Sequence, residues 1–350
     1  MRFESPADKR ARTVVLLVQL GTPTAPSASA LRAFLREFLS DRRVVEMPRA
    51  LWLPLLYGII LPLRPARSAA KYAAIWTKEG SPLLLHTRRQ TSLLQGWLGQ
   101  HGHDVDVRHA MRYGTPSIAS VLDECYRQGL ERLLVMPLYP QYAASSTATV
   151  FDAVTRVLAR WRVQPAVRLV RDFHDQDTYL EALAQRVRDL WAREGRCDRL
   201  LISFHGIPQR SVTRGDPYGQ QCRRTAGQLA ARLGLSEAQW MLTFQSRFGP
   251  APWLQPYTSA SVVECARRGE RSIDVVCPGF VADCLETLEE ISIEVRSAFL
   301  AAGGERFRYI PALNDAPGFI QALGELAEAN LAGWQTQRSA GVAGPGEPVR

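Results

Sequence analysis

The stretch "LLISFHGIP", residues 200–208, is an apolar run that ends on His205 and turns at once through Gly206 and Pro208; "LLVQLGTP", residues 16–23, does the same. A short apolar run without polar alternation, closed by Gly and Pro, reads as a strand buried on both faces, the kind that parallel sheets use. Two more pairs follow in the same order. An Arg-aromatic-Gly station occurs in "MRYGTP" (111–116) and "SRFGPAP" (246–252), and a strand ending in Pro with a nearby aromatic occurs in "VMPLYP" (135–140) and "VVCPGF" (275–280). Strand-like runs alternate with amphipathic stretches such as "SALRAFLREFL" and "TYLEALAQRVRDLW", which is the pattern of an α/β chain. The spacing predicts two similar doubly wound, Rossmann-like parallel-sheet domains with a cleft between them: residues 12–172 and 173–333, and a tail from 334 that is rich in Gly, Pro and polar residues and expected to be disordered.

The halves differ in length between their first two stations. Gly21 and Arg112 are 91 positions apart, Gly206 and Arg247 only 41. The excess of about 50 residues, around 44–80, contains the longest apolar tract, "ALWLPLLYGIILPL" (50–63). That tract is shorter than the ~20 residues needed to span a bilayer and carries Pro54 and Pro62. The N-terminal "MRFESPADKRARTVVLLVQLG" likewise fits a buried strand rather than a signal peptide.

Of 350 residues, 43 are basic and 34 acidic, a net charge of +9. Only Lys9, Lys71 and Lys78 are lysines; the arginines are spread along the chain without a basic run, which argues against nucleic acid. Six scattered cysteines without a Cys-x-x-Cys pair point to reduced thiols in a cytoplasm.

Ligands of open parallel sheets bind at the carboxyl ends of the strands, so His205 is expected at the cleft. In "PGFVADCLETLEEI", Asp283, Glu286 and Glu290 have i, i+3, i+7 spacing and are expected on one face of a helix that starts at a strand end. An imidazole opposite a carboxylate can move protons or hold a borderline divalent cation in passing. A permanent zinc site would need four closely spaced thiol or imidazole ligands, and the sequence has none.

These stations, with "PLYPQYAASSTAT" (137–149), "CRRTAGQLAARLGL" (222–235), "TFQSRFGPAPWLQPYT" (243–258) and "CPGFVADCLETLEEI" (277–291), together resemble the ferrochelatase family, in its proteobacterial form, from about Val14 to Leu326. The resemblance implies a lyase that inserts Fe²⁺ into protoporphyrin IX, releasing two protons, as the last step of haem synthesis. It implies His205 and Glu286 as catalytic and metal-handling residues, with Asp283 and Glu290 on a proton or metal path. It implies Arg112, Tyr113 and Tyr139 on the opposite wall, Leu20 and Trp253 against the macrocycle, and Ser81 and Arg64 at propionates. Which wall delivers iron stays open, and Cys284 lies either near the metal path or in packing.

Some members hold a [2Fe–2S] cluster through four thiolates; here Ala144 stands near one such position and no cysteine follows Cys284, so no cluster and no other permanently bound cofactor is expected. The apolar tract, with Trp52, Tyr57, Arg64 and Arg67, either packs as a buried helix or forms a cleft lip resting on a membrane surface, for which Leu55 and Leu56 are the test positions. A cytoplasmic monomer, peripheral to the inner face of the membrane, is the expected form. Two alternatives remain: a chelatase for another tetrapyrrole such as coproporphyrin III, and a porphyrin or haem carrier that would not need both His205 and the acidic stripe.

Overall fold

The computed structural model describes residues 12–337. In its first half the chain runs β1 (Arg12–Gly21), α1 (Ala28–Leu39), α2 (Arg49–Leu55), a π-wound turn at Leu56–Ile60, α3 (Leu61–Ile75), α4 (Pro82–Gln100), β2 (Asp106–Tyr113), α5 (Ile118–Arg127), β3 (Leu130–Pro137), α6 (Thr147–Leu158) and β4 (Ala166–Leu169). The second half runs α7 (Asp177–Glu194), β5 (Arg199–His205), α8 (Gln209–Thr213), α9 (Tyr218–Arg232), β6 (Trp240–Gln245), α10 (Thr258–Arg267), β7 (Ser272–Val276), a π-helix (Glu286–Val295), α11 (Arg296–Ala301), β8 (Arg306–Ile310) and α12 (Pro317–Leu331).

Two four-stranded sheets result, ordered β2-β1-β3-β4 and β6-β5-β7-β8, with every pairing parallel. The repeat is therefore structural, but only the first pair of stations aligns residue for residue: register sets Arg112 and Tyr113 against Gln245 and Ser246 rather than Arg247 and Phe248, and Pro137 against Cys277 rather than Pro278. The Met111 N–H donates to the Pro116 carbonyl at 2.7 Å, and the Phe244 N–H donates to the Pro256 carbonyl at 2.8 Å. With Gln19 beside Met111 and Phe204 beside Phe244 in register, Leu20 in the first half takes the place that His205 takes in the second.

Burial explains the strand choice. Val14 to Val18 of β1 are fully buried and all five residues of β7 are buried, so neither strand has a solvent-facing side; the polar Asp274 of β7 is buried on bonds from Trp191 and Arg308. One apolar cluster covers the outer face of the first sheet against α5 and α6, another covers the second sheet against α10, the π-helix and α11. The largest cluster joins the halves: Val15 and Leu17 share it with Tyr179 of α7, Phe204 of β5 and Phe319 of α12. Helix α12 packs on α4, α7 and β3, so the last helix of the chain returns to the first sheet.

The segment after α12 starts packed, against the expectation of a free tail from 334. Arg168 lies 4.2 Å over the Trp334 ring, and the Asp104 N–H donates to the Thr336 carbonyl at 2.7 Å. The rest of that expectation, residues 338–350, lies outside the described residues. Among the described residues no helix is long and apolar enough to cross a membrane.

Candidate functional site

Both Gly-x-Pro stations exist because backbones approach closely there. At Gly21, φ is +112° and a Cβ would sit 1.8 Å from the Tyr113 carbonyl oxygen. At Gly206 a Cβ would meet the Gln245 carbonyl oxygen at 3.0 Å and the Trp253 ring at 3.1 Å. The turn after β5 is thus pinned to β6 by the Gly206 N–H to Gln245 carbonyl bond, 2.8 Å, which fixes where His205 ends up.

His205 is half-buried, with its ring centroid 6.3 Å from that of Trp253 and 6.4 Å from that of Phe280. Its Nδ1 lies 2.6 Å from the Gly206 carbonyl oxygen. A carbonyl only accepts, so the proton is assigned to Nδ1 and Nε2 of the neutral ring is the basic atom. Gln245, beside His205 in register, donates from Nε2 to the Glu286 carbonyl at 2.8 Å. A single buried amide therefore ties the histidine strand to the glutamate helix.

Of the three acidic residues only Glu286 and Glu290 lie on the helix. Residues 286–295 are π-wound, and Asp283 precedes the helix. The Asp283 carboxylate is buried and accepts bonds from Thr287, the Tyr309 hydroxyl (2.6 Å) and Asn314 Nδ2 (2.7 Å), so it anchors the approach to the helix. Glu290 accepts from the Ser246 N–H at 2.7 Å and from the Ser246 hydroxyl. Ser246 stands at φ +63°, a left-handed conformation that costs an L-residue ~1–2 kcal/mol. The i, i+3, i+7 expectation fails because Asp283 stands before the helix, which in addition is not α-wound. Cys284 is buried against Leu83 and Ala282, and burial, then the neighbouring Glu286, push its thiol well up.

The opposite wall is built on Asp41, which the sequence did not reveal. Its Oδ2 accepts from Arg112 Nη2 and from the Tyr113 hydroxyl, the latter at 3.0 Å. Arg112 also donates from Nε to the Thr149 carbonyl at 2.8 Å and stacks 4.3 Å over the Tyr113 ring. Burial raises the Tyr113 and Tyr139 phenols, keeping both neutral. The Tyr139 hydroxyl is buried without a hydrogen-bond partner, an open donor beside Tyr113 and Arg112. Leu20 is half-buried against the cluster of Phe34, Trp52 and Tyr113.

The fifty-residue excess forms α2, the π turn and α3. Trp52, Leu56 and Leu61 are buried, with Trp52 Nε1 donating to the Leu39 carbonyl at 2.7 Å, whereas Leu51, Tyr57, Ile59 and Leu63 are 52–69% exposed. The segment thus has an inward packed row and an outward apolar row. Leu56, fully buried, reports on packing; Leu55 is partly exposed. Arg64, exposed at the rim, lies 4.8 Å over the ring of Phe248 from the second half, and desolvation lowers its pKa. Ser81 is buried at the start of α4. Tyr72 of α3 is buried, its phenol raised by that burial and then by Glu286 and Cys284.

Neither of two polar surface depressions, of about 630 and 700 Å³, involves these residues; both lie at the amino ends of the strands, lined by groups such as Arg271 and Arg306 in one and Arg12 and Gln337 in the other. Among the described residues no group of three or more His, Cys, Asp and Glu side chains is arranged to hold a metal ion.

Residues 12–331 match the model of a family described as ferrochelatase. The chain is 56% identical over 326 residues to a ferrochelatase of Methylibium petroleiphilum, covering 93% of this chain and 90% of the relative. It is also 56% identical over 324 residues to a ferrochelatase of Aromatoleum aromaticum, covering 92% and 89%. Among solved structures it is similar in fold to SirB from Bacillus subtilis with Fe3+, at a TM-score of 0.52 and 15% identity, covering 93% of this chain and 99% of that one. The chain belongs to the ferrochelatase family, alongside its proteobacterial members.

Proposed function

We propose that this ferrochelatase-family enzyme carries out its reaction at the strand ends where His205, Gln245 and Glu286 meet. It is a lyase that inserts ferrous iron into protoporphyrin IX to give protohaem. The observation that carries the site assignment is the Gln245 amide, which lies beside His205 and holds the backbone of Glu286.

Insertion must strip water from Fe²⁺, expose pyrrole nitrogen lone pairs and remove two N–H protons. Nε2 of His205 is the base for a pyrrole proton, an action typically worth ~10²–10⁴-fold. Glu286 is the carboxylate that takes protons onward or meets the metal. Asp283 and Glu290, whose carboxylates are already engaged, contribute by holding the start of the helix and the Ser246 turn. Leu20 and Trp253 bear on the macrocycle, and Arg112, Tyr113 and Tyr139 form the facing wall. Asp41 neutralises Arg112, so that wall need not repel a divalent cation. Arg64 and Ser81 are the propionate contacts.

The reading extends to organisation and location. Residues 12–172 and 173–333 form the two halves, and the 44–80 excursion is a lip whose outward row, Leu51 to Leu63, rests on a membrane surface from the cytoplasmic side. The reading includes a monomer and no [2Fe–2S] cluster, as Ala144 stands near one of the thiolate positions of the cluster-bearing members.

Anaerobic Fe²⁺ insertion into protoporphyrin IX and coproporphyrin III, followed by loss of porphyrin fluorescence, tests this with wild type, Glu286→Gln and His205→Ala. Turnover on protoporphyrin that falls at least a hundredfold in both variants is expected. Near-normal turnover in well-folded His205→Ala removes the histidine from the mechanism.

A further inference from the structure

The Lys71 ammonium lies 3.1 Å from Glu289 Oε2 and 2.6 Å from Glu294 Oε1. Lys71 belongs to α3, in the excursion of the first half; both glutamates belong to the π-helix of the second. The glutamates are five residues apart. In an α-helix each residue turns by about 100°, so side chains five apart diverge by about 140°. In π winding the backbone bonds run from i to i+5, and residues five apart lie over one another. One ammonium meets both carboxylates because the helix is π-wound.

The residue type fits this task. Lysine is scarce in this chain, three against 40 arginines. An ammonium with three rotatable donors serves two separate carboxylates, whereas the planar guanidinium fork suits a single one. The same helix has a second fastening. Arg64, seven residues earlier and so on nearly the same face of α3, lies over Phe248.

We propose that Lys71 is a positioning residue: by clasping Glu289 and Glu294 it holds the site helix π-wound against the seated lip, and so sets the direction in which Glu286 and Glu290 face. The same residues in α winding would have fewer residues per turn, and Glu290 would swing away from Ser246 while Glu286 turned relative to His205. The proposal rests on the reading of Glu286 as the site carboxylate; the winding itself is independent of that reading.

The test measures amide hydrogen exchange across residues 286–295, together with kcat and KM for anaerobic iron insertion, in wild type, Lys71→Met, Glu294→Gln and the double variant. Exchange in Lys71→Met is expected to rise on the order of fivefold, as befits loss of one half-exposed ion pair and of the partner of the buried Glu289 carboxylate. We expect kcat to fall by a similar factor, with KM for porphyrin changing less than twofold. Glu294→Gln should give a smaller change in the same direction, and the double variant should be no worse than Lys71→Met. Exchange unchanged from wild type in Lys71→Met overturns the proposal, as does raised exchange with unchanged kcat. A wild type without insertion activity would overturn the reading of Glu286, and the exchange data would still judge the winding.

Discussion

Replacing Glu290 by glutamine keeps the shape of the side chain and removes its charge. Glu290 Oε1 accepts from the Ser246 N–H at 2.7 Å, and Oε2 from the Ser246 hydroxyl and, at 3.4 Å, from Gln245 Nε2. A hydrogen bond to a charged group is worth ~1.5–3 kcal/mol and a neutral one ~0.5–1.5, so the exchange costs about 1–1.5 kcal/mol at the Ser246 N–H; partial exposure favours the lower figure. The new carboxamide also turns an NH₂ toward a site lined by donors. Ser246, at φ +63°, is then left with ~1–2 kcal/mol of left-handed strain and a weaker restraint. As the turn relaxes it carries Gln245, and with it the contact to Glu286. Urea unfolding of Glu290→Gln should show a loss of ~1–2 kcal/mol, and iron insertion should slow by roughly 5–30-fold. Adding Ser246→Gly removes the left-handed penalty, so the double variant should regain about 1 kcal/mol and part of the rate. If Glu290→Gln is as stable as wild type, its rate collapses and Ser246→Gly restores nothing, then Glu290 acts directly on protons or metal and the bracing argument fails.

Leu51→Glu and Leu63→Glu, at positions 66% and 69% exposed, should abolish sedimentation with anionic vesicles while leaving thermal unfolding unchanged; a wild type that does not sediment overturns the membrane contact. Burial pushes the Cys197 and Cys265 thiols up to about 12 and raises the other four, so native protein at pH 8 should react slowly with a disulfide reagent and denatured protein fast; fast native labelling would contradict the thiol environments. Partial burial of Asp198 opposes its ionisation, but the Ser272 and Arg271 N–H groups, each 2.8 Å away, outweigh it and lower the pKa. A depressed carboxyl contributes stability that is present above the usual aspartate pKa of ~4 and lost as pH falls through the folded value. Asp198→Asn should therefore destabilise at pH 6 by an amount that shrinks as pH falls below ~4; an offset that stays constant across that fall refutes the linkage.

The sequence made the inner strands legible and left the outer ones obscure. β1 and β3 hold unbroken apolar runs at 14–18 and 133–137, and those of β5 and β7 are interrupted only by the buried Ser203 and Asp274. β2 and β4 carry partly exposed or exposed residues, as in "DVRHAMRY" and "AVRL", and lack both a continuous run and clean alternation. The site divided along the same line. His205 announced itself by ending a strand, and Glu286 by standing early in the helix that follows a strand. Asp41 lies 71 positions from Arg112, and Lys71 lies 218 from Glu289; no periodicity links residues that only the folded chain brings together. The π winding was invisible because an apolar and acidic pattern of ten residues is read at 100° per residue unless a tertiary contact dictates otherwise.

The repeat explains why one cleft can have two chemically different walls. Register makes Leu20 the counterpart of His205, Arg112 the counterpart of Gln245, and Tyr113 that of Ser246. Each half uses a carboxylate to fix its second station: Asp41 binds Arg112 and Tyr113, and Glu290 binds Ser246 and Gln245. In the first half that carboxylate meets a guanidinium, and the wall is neutral and presents phenols. In the second it meets only neutral donors, so its negative charge is retained next to Glu286 and the imidazole of His205. A divalent cation losing its water and two departing protons are both favoured by excess negative charge, and only the second wall has it. Under the proposed function, this asymmetry favours acid–base and metal work in the second half, with the first half and its inserted lip receiving the apolar macrocycle.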